Sequence, residues 1–133
     1  MASDIFAKID GIQGESRDSK HQDEIEVLSW SWGVSQTGSI AFGGGGGEGK
    51  ASFHDFTFTH HIDKASPVLL KACATGEHIK EATITVRKAG KGRQEFLVIK
   101  MNDVIITSVS QSAEETATAE SVALQCASVD LEY

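Results

Sequence analysis

The sequence predicts a mainly β domain, a barrel or a sandwich with one helix packed on it. Three observations carry this reading. About seven segments alternate apolar and polar residues and are separated mostly by short turns. Only one stretch, Ser66 to Gly76, carries a full set of helix signals. The segment Gln94 to Met101 is apolar on both faces, which places it in the middle of a sheet. At 133 residues the chain is expected to be a single domain, spanning 1–133, with a real hydrophobic core.

The first strand is Asp4 to Asp10, with Ile5, Ala7 and Ile9 on one face and Gly11 ending it. Gly14 to Asp23 is polar and reads as a solvated connection rather than a charged ligand site. From Glu24 the chain enters a tryptophan-bearing strand. Ile25 and Val27 share one face; Leu28, Trp30, Trp32 and Val34 share the other. The apolar phase flips between Val27 and Leu28, which predicts a bulge or partial cover on both faces. Ser29 and Ser31 lie opposite the tryptophans on a small polar face. A glycine loop follows over residues 43–49, broken by one glutamate.

Phe53 to His61 is strand-like again, with Phe56 and Phe58 on one face. Ser66 reads as an N-cap and Pro67 as the first helical residue. Leu69, Ala72 and Cys73 make the apolar stripe, and Gly76 is the C′ residue. Glu81 to Lys88 alternates Ala82, Ile84 and Val86 against Thr83, Thr85 and Arg87. The run 89–92 turns the chain into the strand 94–101, Asn102-Asp103 turns it again, and Val104 to Gln111 follows. Ser112 to Glu120 is expected to be a mobile hairpin loop. The last strand runs from Ser121 to Tyr133, with a phase slip near Ala127–Ser128 that marks a second bulge candidate.

Composition excludes several functions. The net charge of -7 opposes nonspecific nucleic-acid binding and attachment to an anionic membrane surface. No apolar run approaches the ~20 residues of a membrane helix. The N-terminus MASDIFAKIDG lacks the charged and apolar regions of a signal peptide. The protein is therefore expected to fold in the cytoplasm and to leave the cell, if it does, without a cleaved signal. Cys73 and Cys126 lie outside any C-x-x-C pair, and two buried thiols are expected rather than a disulfide.

The chemical motifs are weak. Gly44 through Lys50 fits G-x-x-x-x-G-K, but Ala51 replaces the magnesium-binding hydroxyl and a strand follows where a P-loop needs a helix. His54 and His60 share a strand face about 20 Å apart, and His60 and His61 point to opposite faces, so packed or solvated histidines are expected rather than metal ligands. No serine sits in a strand–turn–helix elbow. No cofactor and no metal are expected. Trp30 and Trp32 read as core or interface. A small-molecule carrier is the competing class, and it would need a hollow barrel. A hydrolase would need a nucleophile–base pair that the sequence does not offer.

The words of the chain are more specific. Ile9-x-Gly11-Ile12-x-Gly14-Glu15-Ser16-x-Asp18, then His21, then Ile25-x-Val27-Leu28-x-Trp30-Ser31-Trp32-Gly33 resemble the Hcp family, the tube-forming proteins of the bacterial type VI secretion system. The Gly43–Gly47 loop, Asp63-Lys64-x-Ser66-Pro67, Val86-Arg87-Lys88-Ala89-Gly90 and Val129-x-Leu131-x-Tyr133 extend the match over almost the whole chain. The resemblance implies a closed β-barrel of two packed sheets with one short flanking α-helix. It implies homohexameric rings that stack into a tube, expelled by a contractile sheath together with tip proteins. Effector proteins ride in the lumen. It implies no enzymatic activity without a fused domain, for which this chain has no room. Relative to the family pattern the chain is shortened, ending at Tyr133 where relatives continue.

Two site expectations follow. Gly43, Gly44, Gly45, Gly46, Gly47, Glu48, Gly49 and Lys50 form the ring-stacking loop, since glycine lets backbones approach closely. Ser31, and beside it Ser29, line the lumen and contact the effector.

Overall fold

The computed structural model describes residues 3–38, 50–88 and 94–133. Its elements are β1 (Ser3–Ile9), β2 (Ile25–Glu26), β3 (Ser29–Ser31), β4 (Val34–Gln36), β5 (Ala51–Phe53), β6 (Phe56–His60), α1 (Ser66–Thr75), β7 (His78–Lys88), β8 (Glu95–Glu114) and β9 (Ala117–Glu132). Seven strands form one antiparallel sheet in the order β2-β1-β7-β8-β9-β6-β3, and β4 and β5 form a separate two-stranded ribbon.

The two edge strands of the large sheet, β2 and β3, are consecutive in sequence. The run 25–31 therefore crosses from one edge of the sheet to the other. Val27 N–H still donates to Ile5 O on β1 at 2.9 Å, while Leu28 N–H already donates to Thr59 O on β6 at 2.7 Å. This hand-over is the physical origin of the phase flip at Val27–Leu28. Ile25 and Val27 are buried, and the inward phase then passes to Trp30, which stacks on Phe56 at 5.7 Å. The expected barrel-like, mainly β fold with one short helix is present. Closure rests on ladders of two and three residue pairs on either side of this crossing, so "closed" slightly overstates it, and the second sheet is only the small ribbon.

The core lies inside the wrapped sheet. Phe56, Phe58, Ile25, Leu69, Ile84, Ile99, Met101 and Leu124 are fully buried there. β8 is the middle strand, as its two apolar faces predict. α1 contributes Leu69 and Ala72 to this core, and Ala65, its N-cap residue, adds to it. Its C-terminus ends as expected at Gly76, whose φ of 66° lets Gly76 N–H reach Cys73 O and Glu77 N–H reach Ala72 O.

Several local expectations need correction. Ser66 is not the N-cap: it lies within the helix, and its Oγ accepts from Asp63 N–H at 3.1 Å, while Asp63 Oδ1 takes the Ala65 N–H. Asn102-Asp103 is not a turn, because β8 runs through it, with Asp103 at a φ of 55°. Residues 112–114 and 117–120 are paired strand rather than loop, joined by a tight turn at 115–116: β8 and β9 pair as far as Glu114↔Ala117. Cross-strand pairing outweighed the polar composition of this stretch. The register shift of the β8–β9 ladder lies between Ile106 and Ser108, not at Ala127–Ser128. There Thr107 is the extra residue, and its hydroxyl donates to Asp55 Oδ2 at 2.7 Å. The tryptophan-bearing run is not one strand but three short ones. The predicted turn over 89–92 lies outside the described residues, although Lys88 N–H donates to Gln94 O at 2.9 Å across it.

Candidate functional site: a small polar face and an aromatic ribbon

Residues directly opposite each other in an antiparallel ladder share a face. Ser29 pairs with Thr59 and Ser31 with Thr57. Thr59 pairs with Ser121 and Thr57 with Ala123. Ser121 pairs with Ser110 and Ala123 with Ser108. Two rows of small side chains therefore cross four strands on the face away from the core. Ser29, Ser31, Ser108 and Ser110 are exposed, and the four residues between them are half-buried. None is charged. Ser29 Oγ and Thr59 Oγ1 share a 2.6 Å hydrogen bond. The sequence singles out Ser29 and Ser31; their partners on β6, β8 and β9 emerge only once the register is known.

Beside this face stands the ribbon. Val34 pairs with Phe53, and both are exposed, at 57% and 61%. Trp32 stacks on Phe53 at 6.4 Å and leans on Phe56. Trp32, Phe53, His54, Phe56, Cys126 and Val129 help line an open cleft of about 430 Å³. Of the residues expected to stack rings, 43–49 lie outside the described residues, and Lys50 alone of the set is described. Lys50 is exposed, and its N–H donates to Thr37 Oγ1 at 3.0 Å where the ribbon begins. A strand follows Lys50, so the P-loop reading also fails on local structure.

The loop over residues 13–24 is not the solvated connection its composition predicts. Ser16 and His21 are buried, and with them Phe6, Thr85 and Arg87 on the outer face of β1 and β7. Arg87 donates to Asp18 through both terminal nitrogens and to Asp4 Oδ2 at 3.3 Å through Nε. Its guanidinium lies 4.8 Å from the centre of the Phe6 ring. His21 stacks flat on Phe6 at 4.4 Å. Its Nδ1 meets Glu24 at 3.0 Å and its Nε2 meets Glu95 at 2.7 Å. Hydrogen bonding to Arg87 holds the Asp18 carboxyl far below the usual carboxylate range, against its own desolvation. The family-like words E-S-x-D, His21 and V-R-K converge here.

Of the remaining reactive groups, His54 and His61 are exposed and His60 is buried. His54 N–H donates to Gly33 O, and His61 Nδ1 meets Thr118 O at 2.8 Å. His60 is fully buried against Glu120. Cys73 and Cys126 are free and half-buried, and burial pushes the Cys126 thiol up. Among the described residues no group of three or more His, Cys, Asp or Glu comes together as a metal site. No helix among them is long and apolar enough to cross a membrane.

A wrapped sheet with a filled core, an uncharged patch on its outer face and an exposed aromatic ribbon defines a small β domain that works through its surfaces. The family described as "Type VI secretion system effector, Hcp" matches residues 6–133. Protein hcp1 of Pseudomonas aeruginosa is 47% identical over 136 aligned residues, covering 100% of this chain and 84% of that protein. The crystal structure of Hcp1 from Salmonella typhimurium superposes with a TM-score of 0.87 at 45% identity, covering 100% of this chain and 87% of that one. A type VI secretion system effector from Yersinia pestis gives 0.83 at 43%, covering 98% and 89%. The chain belongs to the Hcp family, the effector and tube proteins of type VI secretion.

Proposed function

We propose that this chain is a single-domain ring subunit. Six copies close a ring through one repeated heterologous contact. Rings stack into a tube that is expelled with sheath and tip proteins, carrying effectors in the lumen. The chain is cytoplasmic before firing, leaves without a cleaved signal peptide, and has no catalysis of its own. The observation that carries this reading is the uncharged Ser/Thr face over β3, β6, β9 and β8, which contains Ser29 and Ser31. A channel wall made of short hydroxyls and small side chains offers hydrogen bonds to varied cargo without a fixed charge to hold it. The glycine-rich loop that ends at Lys50 is the contact between rings. Ordering such a loop costs about 1–2 kcal/mol per residue, which keeps ring-to-ring contacts weak enough to come apart. The carrier reading is disfavoured by a core filled with Phe56, Phe58, Leu69 and Met101.

One electron-microscopy experiment with co-purified effector tests both halves. Ser31→Gln is expected to keep hexameric rings and to lose retained cargo. Deleting residues 43–47 is expected to keep rings and abolish stacks. Monomers in the unmodified protein, or tubes that survive the deletion, would contradict the reading.

A further inference from the structure

An ion pair lies in the interior, away from the surfaces assigned to assembly. His60 ends β6, and Glu120 lies opposite it on β9. Both side chains have 0% exposure. His60 Nε2 stands 2.7 Å from Glu120 Oε1, and Gln111 Nε2 on β8 donates to Glu120 Oε2 at 2.6 Å. His60 Nδ1 has no hydrogen-bond partner among the described residues. Asp63 Oδ2 lies 3.7 Å from it, too far for a hydrogen bond but near enough for charge attraction. A carboxylate therefore faces each ring nitrogen. Gln111 is neutral, and β3, on the other side of β6, brings only Ser29, Trp30 and Ser31. An ionised carboxylate only accepts, so Nε2 donates to Glu120, and the negative charge of Asp63 beside Nδ1 favours a proton on that nitrogen as well.

The cluster stands at the root of an arm. β6 leaves β9 at Glu120, and β7 leaves β8 at Ile105. Beyond Gln111↔Glu120 the two strands form a ladder only with each other, up to Glu114↔Ala117, and the arm also meets the segment after β6 at Thr118, whose carbonyl faces His61 Nδ1 at 2.8 Å and whose Oγ1 accepts from Ile62 N–H at 3.4 Å. Below the cluster, Asp63 also holds the start of α1 through the Ala65 N–H.

We propose that His60, Glu120, Asp63 and Gln111 form a proton-operated latch that clamps the β8–β9 arm to β6 and to the leader of α1. With both ring nitrogens protonated, the imidazolium balances the buried Glu120 carboxylate and attracts Asp63. Loss of the Nδ1 proton turns a lone pair toward Asp63 and leaves the Glu120 charge without its counter-ion. A buried charge stripped of its partner is strongly destabilising. Burial by itself lowers the affinity of His60 for that proton, but Asp63 and Glu120 outweigh it and raise the group above its ordinary 6.5. A raised value means that the latch stabilises fully below pH 6.5 and lets go as the pH rises through the folded value.

The test is amide exchange of residues 107–121 between pH 6 and 9, corrected for intrinsic rates, on wild type, His60→Gln and, as the control, His78→Gln, an exposed histidine on β7. Protection of the arm is expected to fall severalfold with rising pH in wild type and in His78→Gln, and to lose this slope in His60→Gln. A flat wild-type profile, or an unchanged slope in His60→Gln, overturns the latch. Should His60→Gln fail to fold, nitrogen NMR of the wild-type ring decides: two protonated nitrogens at pH 6 support it, and a neutral tautomer at that pH overturns it.

Discussion

Two surface regions invert what their compositions imply. The loop over residues 13–24 is polar, yet it is built into the fold, with Ser16, His21 and Arg87 at 2%, 7% and 3% exposure. The run from Leu28 through the ribbon is rich in large apolar residues, yet Leu28, Val34 and Phe53 are more than half exposed. In the first region every buried side-chain nitrogen and oxygen among the described residues has a partner, so burial costs little net. In the second, apolar area stays in water, and none of the other described residues covers it. Polar residues that fold inward are structural; apolar residues that stay outside await another molecule.

The hardest test of this contrast is Gly14. A Cβ added there would meet Glu24 O at 2.5 Å, the Glu24 carbonyl carbon at 2.7 Å and Ile25 Cα at 2.7 Å, all backbone. The close approach is held by Gly14 N–H to Asp23 O at 2.7 Å and Ser16 N–H to Glu24 O at 2.9 Å. Gly14→Ala must therefore push the loop off β2. It is expected to cost about 1–3 kcal/mol, toward the upper end because backbone cannot step aside, read as a lower urea midpoint. A midpoint unchanged by Gly14→Ala would mean that the loop is not part of the folded core.

Acid provides a second, gentler probe. Arg87 depresses the Asp18 carboxyl below its ordinary 3.8. A depressed value means that the pair contributes stability above pH 3.8 and loses it only as the pH falls through the folded value. Asp18, followed by carboxyl NMR, is expected to remain ionised at pH 3.8, where an unpaired aspartate is half protonated. Arg87→Met is expected to move its titration upward toward 3.8. An Asp18 that titrates at 3.8 in the wild type would remove the electrostatic half of the argument.

Much of the fold was legible in the sequence because period-2 alternation reports burial directly. Ala82, Ile84 and Ile99 face the core as their phase predicts. The flip at Val27–Leu28 pointed to an irregularity, although its cause, one run crossing between two sheet edges, needs the three-dimensional pairing. The polar loop was misread because its partners Arg87 and Glu95 lie 69 and 74 residues from Asp18 and His21. Composition within a window cannot see them. The spaced word E-S-x-D and His21 were the available signal, since a solvated loop has no need of fixed spacing. The arm over 112–119 was misread for a related reason: its strands are held by cross-strand pairing rather than by an apolar stripe. Ser29 and Ser31 were legible as a small polar face, but its width across four strands follows from register alone.

The smallest expected effect on the fold comes from the ribbon. Phe53 stacks on Trp32, and its side chain is otherwise open to solvent. Phe53→Ser removes one aromatic pair, worth about 1 kcal/mol or less, and exposes no new core. The urea midpoint of the subunit should hardly move. The same variant should weaken the proposed assembly far more, because an exposed aromatic in a cleft is where a neighbouring copy gains most by covering apolar surface. Ring and tube populations by electron microscopy, measured beside the urea curve, separate the two effects. A subunit that unfolds on Phe53→Ser, or one that assembles as well as before, would mean that the exposed run serves the fold rather than a partner.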